Sequence, residues 1–341
     1  MIFVAIAIML LFLISCRRSN SFLEKNSTDA IKGIAIILIV FHHILNEQSY
    51  PESLSMFSTF GYLATGVFFM LSGYGNWISF CKQKKSGFSW IAKRIIRLYE
   101  VFIVCFIIML AEAIILTNHT SFQYDFTIKS IAKDLITFSL PNTINWFPKV
   151  YIGCILVFFV ICSLIKKNSI RISILIAINI IYCLVCNRLF LEGYWYNSVS
   201  CFTLGCIIAL NRDKISAILN KIGYRLRIVA TIVMVAIILI WSFIAGKFWN
   251  QMFLLQPVHA LFTSAFIVVF STVFVVKNKA LEFCGQNSFE IYIFHTIFLI
   301  LYKYININNL LYVVLVYSGC LILTVLFVFG KKRAMLLMKK N

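Results

Sequence analysis

The sequence predicts an all-α fold: a polytopic integral membrane helix bundle with about eleven transmembrane helices. Three observations carry that expectation. Hydrophobic residues fill 61% of the 341 positions and charged residues only 13%, about half the ~25% usual in soluble proteins. The apolar residues come in runs too long for barrel strands, and helix is the open-ended structure that satisfies its own backbone in lipid. Lys and Arg collect between the runs, the distribution expected of the loops of a multi-pass protein. With four prolines and no Ser/Pro/Gly-rich tract, no linker to a soluble domain is expected.

In chain order, Ile2 to Cys16 comes first. Leu13-Ile-Ser-Cys16 resembles a lipoprotein cleavage box, yet no basic residue precedes the apolar stretch and Arg17 and Arg18 follow it. It therefore reads better as a short spanning helix entering from outside than as a cleaved signal. Ten further spans are expected at about 30–46, 58–80, 98–117, 147–165, 172–190, 195–210, 228–246, 256–276, 287–304 and 310–329. The division is an extra N-terminal helix and cytoplasmic linker over 1–28, a membrane domain over 29–330, and a basic cytoplasmic tail over 331–341. With the C-terminus inside, only Lys129, Lys133, Lys149, Arg188, Lys247 and Lys303 of the 31 Lys and Arg fall on outer segments or span ends. The positive-inside rule thus puts the N-terminus out and the C-terminus in, at the plasma membrane.

The net charge of +19 does not signal nucleic acid, because the basic residues are spread over separate inner loops rather than gathered in one groove. Eleven cysteines lie almost all in apolar runs, Cys183 and Cys186 included, and read as small packing residues, not as a redox or metal pair. No metal is expected. The largest outer loop, about 118–146, carries His119, Asp125, Asp134 and Asn145-Trp146. Tyr50, Trp146, Trp195 and Trp249 fall near outer interfaces, where such rings anchor helices and also suit a sugar.

The run Lys32-Gly-Ile-Ala-Ile-Ile-Leu-Ile-Val-Phe-His-His43 places a cation and an imidazole eleven residues apart. On a helix that is about 16 Å of rise and close to three turns, so the two share a face. Ionisable groups within a membrane helix are costly and are functional candidates by default. Glu47, four residues after His43, is placed to orient its imidazole as a general base. The competing reading is that His42 and His43 bond neighbouring helices. Lys32 is either a snorkelling interface lysine or a contact for an anionic cytosolic ligand. Arg94 and Arg97, at i and i+3, suit a phosphate held in a fork, although topogenic charge also explains basic residues there. Gly61, Gly66 and Gly73, with Ser72 and Tyr74 among them, allow either close helix packing or a shaped site. Glu112, His259, Glu290 and His295 are further ionisable groups inside spans.

Four segments resemble the family-3 membrane acyltransferases, which O-acylate cell-surface polysaccharides. Lys32 to His43 is similar to that family's Arg, ten residues, His pattern. Gly66-Val-Phe-Phe-Met-Leu-Ser-Gly-Tyr74 resembles its Gly-Val-x-x-Phe-Phe-x-x-Ser-Gly-Phe segment, two residues shorter before the Phe pair. Lys93-Arg-Ile-Ile-Arg-Leu-Tyr-Glu100 looks like its Lys-Arg-x-x-Arg-x-x-Pro loop, with Glu100 for Pro. Gly285-Gln-Asn-Ser-Phe-Glu-Ile-Tyr-Ile-Phe-His295 resembles its late Gly-x-x-Ser-x-x-x-Tyr-x-x-His helix. The resemblance implies an acyl-CoA donor, acetyl-CoA foremost, as co-substrate, and a hydroxyl acceptor on a surface glycan or lipid-linked sugar. By position it implies His43 as the catalytic residue, with Lys32, Arg94 and Arg97 on the donor side. Lys32 in place of Arg keeps the charge but not a bidentate contact. A transporter or exporter using buried His and Glu is the alternative, weakened by the lack of a repeat between residues 30–165 and 172–329. A glycan polymerase would call for larger outer loops rich in Arg.

Overall fold

The computed structural model describes residues 2–18, 22–48, 52–82, 87–141, 145–247, 253–304 and 307–338. Each of the eleven apolar runs contains a helix. The elements in order are α1 (Ile2–Ser15), β1 (Cys16–Arg18), α2 (Lys25–Glu47), a 3-10 segment (Glu52–Thr59), α3 (Phe60–Lys82), α4 (Phe88–His119), α5 (Ile128–Thr137), α6 (Trp146–Leu164) and α7 (Asn168–Arg188). After a 3-10 turn (Gly193–Trp195) come α8 (Ser200–Leu210), α9 (Arg212–Lys221), α10 (Tyr224–Lys247), α11 (Leu255–Ser271), β2 (Phe274–Val276), α12 (Lys279–Gln286), α13 (Ser288–Leu299), α14 (Leu301–Tyr304) and α15 (Asn309–Met338). Among the described residues seven helical stretches are long and apolar enough to cross a membrane, namely α2, residues 55–82, α4, α6, α7, α10 and α15. The protein is an all-α, multi-pass membrane protein.

Several boundaries differ from expectation. Fourteen residues in α1 rise only about 21 Å, short of the ~30 Å hydrocarbon core. The run 195–210 is helical only from Ser200, because the polar Asn197-Ser198 pair is buried in the turn before it. The run 256–276 leaves the helix at Ser271 and ends as strand β2, as suits the β-branched and aromatic stretch Thr272-Val-Phe-Val-Val276. The run 287–304 breaks at Ile300 between α13 and α14. Helix α15 continues through Lys331, Lys332 and Arg333 to Met338. Tyr50 and Trp249 lie outside the described residues.

The chain divides into two compact units. One comprises Met1–His42, Tyr50–Ile95 and Trp146–Gln286. Its centre is the α3–α8 pair, where glycine lets backbone meet backbone: a Cβ on Gly73 would lie 2.0 Å from the Phe202 carbonyl oxygen, and one on Gly205 2.0 Å from that of Met70. Such small-residue seams are how helices approach in lipid, where tails are as apolar as leucine. Gly61 likewise leaves room for the His42 ring, which a Cβ there would meet at 2.5 Å. Packing therefore accounts for Gly61 and Gly73 of the small-residue segment. The linker after α1 is also structured, since β1 pairs antiparallel with β2, Arg17 opposite Val275. Lys277 N–H donates to the Ser15 carbonyl (2.9 Å) and Phe12 packs on Phe270 (5.5 Å between centroids).

The other unit comprises His43–Ser49, Ile96–Asn145 and Asn287–Asn341. In it α13 packs on α15, with Gly319 accommodating the Phe298 ring. The segment after α4, expected as an outer loop, doubles back. Phe122 packs on Tyr304, and Tyr124 donates to the Asp134 carboxylate (2.8 Å). Phe138, left-handed at φ 53° and nearly fully buried, packs its ring edge-on against Tyr99 (4.1 Å) and tilted against Phe102 (4.6 Å). Those residues lie about 25–30 Å back along α4 from His119. The loop therefore returns along its helix instead of standing out from the helix end.

Candidate active site

Both ends of the expected path lie on one continuous helix, α2. Near its start Lys32 Nζ meets Asp29 Oδ1 at 3.0 Å, one turn away, and Gln286 donates to the other Asp29 oxygen (3.4 Å). The Lys32 side chain is 29% exposed, so its charge is both balanced and reachable. The α2 backbone here touches α12. A Cβ on Gly285 would lie 1.7 Å from the Asp29 carbonyl oxygen, and one on Gly33 2.1 Å from that of Leu281. Two motif glycines thus act as a seam that fixes this part of α2.

At the other end of α2, His43 is partly buried, and its ring centre lies 5.1 Å from that of His295 on α13, the planes inclined by 36°. His295 is 1% exposed. Its Nδ1 is hydrogen-bonded to the Tyr292 carbonyl. A carbonyl can only accept, so Nδ1 carries the proton and Nε2 is left as an acceptor. Among the described residues Nε2 is buried without a hydrogen-bond partner. Glu47, expected to orient His43, is engaged elsewhere: its carboxylate pairs with Lys303 Nζ at 3.2 Å. Sequence spacing put Glu47 in reach, and a long-range cation took it.

The cations behave differently from one another. Arg94 is bound from within. Its Nε donates to Asn76 Oδ1 (2.8 Å), its two terminal nitrogens to the Trp90 carbonyl (3.2 Å) and Ser79 Oγ (3.0 Å), and the guanidinium lies 3.7 Å above the Trp90 ring centre. The i, i+3 fork expected of Arg94 with Arg97 is therefore not open at Arg94. Arg97, by contrast, has a side chain 63% exposed, with only a loose 3.9 Å approach to the buried Glu290 carboxylate. One turn on, Glu100 pairs with Lys331.

A model of the acyltransferase domain family matches residues 25–329. The chain belongs to that family. It is thus a membrane acyltransferase, and Lys32, His43, Arg94, Arg97 and His295 all fall within the matched domain. Searches of curated proteins and of solved structures give no match. Helix α1 and strand β1 lie before the matched domain, yet β1 is hydrogen-bonded to β2 inside it.

The other expected site residues of the acyltransferase are scattered. Ser72 and Tyr74 sit on α3; the Tyr74 hydroxyl is buried without a partner among the described residues. Glu112 is partly buried on α4, with one carboxylate oxygen likewise unpartnered among them. Trp146 opens α6 against Tyr194 (5.7 Å) and Phe147 (5.9 Å). His259 is a bonded core histidine, its Nδ1 2.7 Å from the Tyr62 hydroxyl and its ring flat on Trp241. Among the described residues no cysteine is joined in a disulfide. Among the described residues, no three His, Cys, Asp or Glu side chains are placed to hold a metal ion. Sequence reasoning missed the His43–His295 and Arg97–Glu290 pairs. One signal was present for the first: each histidine follows a seam glycine, Gly33 or Gly285, by ten residues.

Proposed function

We propose that this acyltransferase moves an acyl group, acetyl foremost, from a cytosolic acyl-CoA to a hydroxyl of a cell-surface polysaccharide or lipid-linked sugar, at the plasma membrane with its C-terminus in the cytoplasm. The observation that carries the reading is α2 itself. Within the matched domain, one helix face carries the Asp29-balanced cation Lys32 and, about 16 Å further on, the imidazole of His43. Lys32 takes the donor-side role that the family resemblance gives it, releasing its Asp29 partner when the more highly charged phosphates arrive. Arg97, which the resemblance also puts on the donor side, has a mostly exposed side chain and only a loose carboxylate partner to release. Arg94 holds the helix that carries Arg97 and does not itself grip the donor. His43 removes the proton of the acceptor hydroxyl as its oxygen attacks the thioester carbonyl. The same proton then leaves with the thiolate as CoA–SH. The charge distribution, with basic residues between spans on one side, supports the orientation.

The test compares surface glycans by mass spectrometry from cells producing the wild-type protein or His43→Ala at equal membrane levels. The expected result is a glycan heavier by one acyl group per modified sugar with wild type, and its loss, by about 100-fold or more, in the variant. Undiminished acylation by His43→Ala refutes the assignment.

A further inference from the structure

We infer that His295 is the positioning residue of a histidine pair, the hydrogen-bond acceptor that holds His43 in the tautomer needed for proton removal. The inference rests on the acyl-transfer reading and assigns to an imidazole the task expected of Glu47. Three observations converge. Glu47 is ion-paired with Lys303. The bond to the Tyr292 carbonyl fixes the His295 tautomer, leaving a lone pair on a buried Nε2 with no partner among the described residues. An imidazole nitrogen orphaned in a membrane domain is costly to keep, so it calls for a donor.

The third observation is the spacing. Each ring nitrogen lies about 1.1 Å from its ring centre, so an in-line N–H···N bond of about 2.9 Å puts the centres about 5.1 Å apart. The observed separation is 5.1 Å, with the planes only 36° apart. Rings stacked face to face would be closer, so the gap has room for one N–H···N bond once a His43 N–H is turned toward His295 Nε2. Protons then balance simply. His43 keeps its hydrogen toward His295 Nε2 on one nitrogen, and with the other takes the proton of the attacking hydroxyl. The resulting imidazolium donates to His295 until it returns the proton to the departing thiolate sulfur. His295 gains and loses nothing, which is why it need not be exposed.

Membranes of the producing cells, which carry their own acceptor, are supplied with radiolabelled acetyl-CoA, and label entering glycan is timed across donor concentrations. His295→Ala is expected to lower kcat about 100-fold while KM for acetyl-CoA stays within about twofold. With hydroxylamine, a nucleophile that needs no base, as acceptor, the same variant is expected to form the acyl hydroxamate at close to the wild-type rate. Wild-type kcat on glycan in His295→Ala overturns the proposal. So does a parallel loss with hydroxylamine or a raised KM, either of which marks a packing role. Full activity in His43→Ala would instead remove the base on which the pair depends, and wild-type membranes that move no label from acetyl-CoA to glycan would sink the acyl-transfer reading itself.

Discussion

Replacing Gly285 by alanine is the sharpest test of the seam that fixes the start of α2. No described glycine has a positive φ, so the backbone there admits alanine and the cost is steric alone. The added methyl would sit 1.7 Å from the Asp29 carbonyl oxygen and 2.9 Å from the Gly33 nitrogen. A carbon needs about 3.2 Å from such an oxygen, so α12 and α2 must part by about 1.5 Å; overpacking of that kind costs about 1–3 kcal/mol. The neighbouring atom is backbone and cannot rotate away. Gly75 on α3 is the internal control, because a Cβ there meets nothing within 4 Å. In an exposed helix position alanine is favoured over glycine by about 1 kcal/mol. The two identical substitutions are thus expected to act with opposite signs. Thermal unfolding of the detergent-solubilised protein, followed by tryptophan fluorescence, should show Gly285→Ala lower in Tm by roughly 2–4 °C per kcal/mol lost. Gly75→Ala should be unchanged or slightly higher. If both variants melt together, backbone contact between α2 and α12 is not what the chain uses glycine for.

Two further outcomes follow from contacts that sequence did not show. Arg94→Lys keeps the charge but cannot reproduce the three-way bonding to Asn76, Ser79 and the Trp90 carbonyl. A loss of about 1–3 kcal/mol is expected, read as a lower Tm with KM for acetyl-CoA little changed; a raised KM at unchanged Tm would return Arg94 to the donor site. Phe138→Ala removes the ring that seats the returning loop on Tyr99 and Phe102. It should cost about 3 kcal/mol and expose residues 120–141 to limited proteolysis, and a protease-resistant loop would contradict the seating.

Much of the fold was legible because membrane insertion is decided locally. Each apolar run satisfies its own backbone only as helix, and hydropathy along the chain reports that directly. Where local character changed, the elements changed with it. The β-branched stretch at 272–276 became a strand, and the buried Asn197-Ser198 turn delayed α8. A strand needs a partner, however, and nothing near Cys16–Arg18 in sequence announced that β2 would supply one.

The candidate site divides along the same line. Sequence alone determined that Lys32 and His43 share a helix face, because helical rise and pitch do not depend on the rest of the molecule. It also determined the class of protein, through hydropathy and the ordered motifs. Tertiary structure decided what each polar group bonds to. Glu47 went to Lys303 and not to His43, Arg94 turned inward to Asn76 and Ser79 while Arg97 stayed exposed, and His295 came level with His43. The physical reason is that a hydrogen bond or ion pair is a choice among competitors at short range, and the competitors come from other helices: Asn76 and Ser79 from 15 to 18 positions away, Lys303 and His295 from more than two hundred.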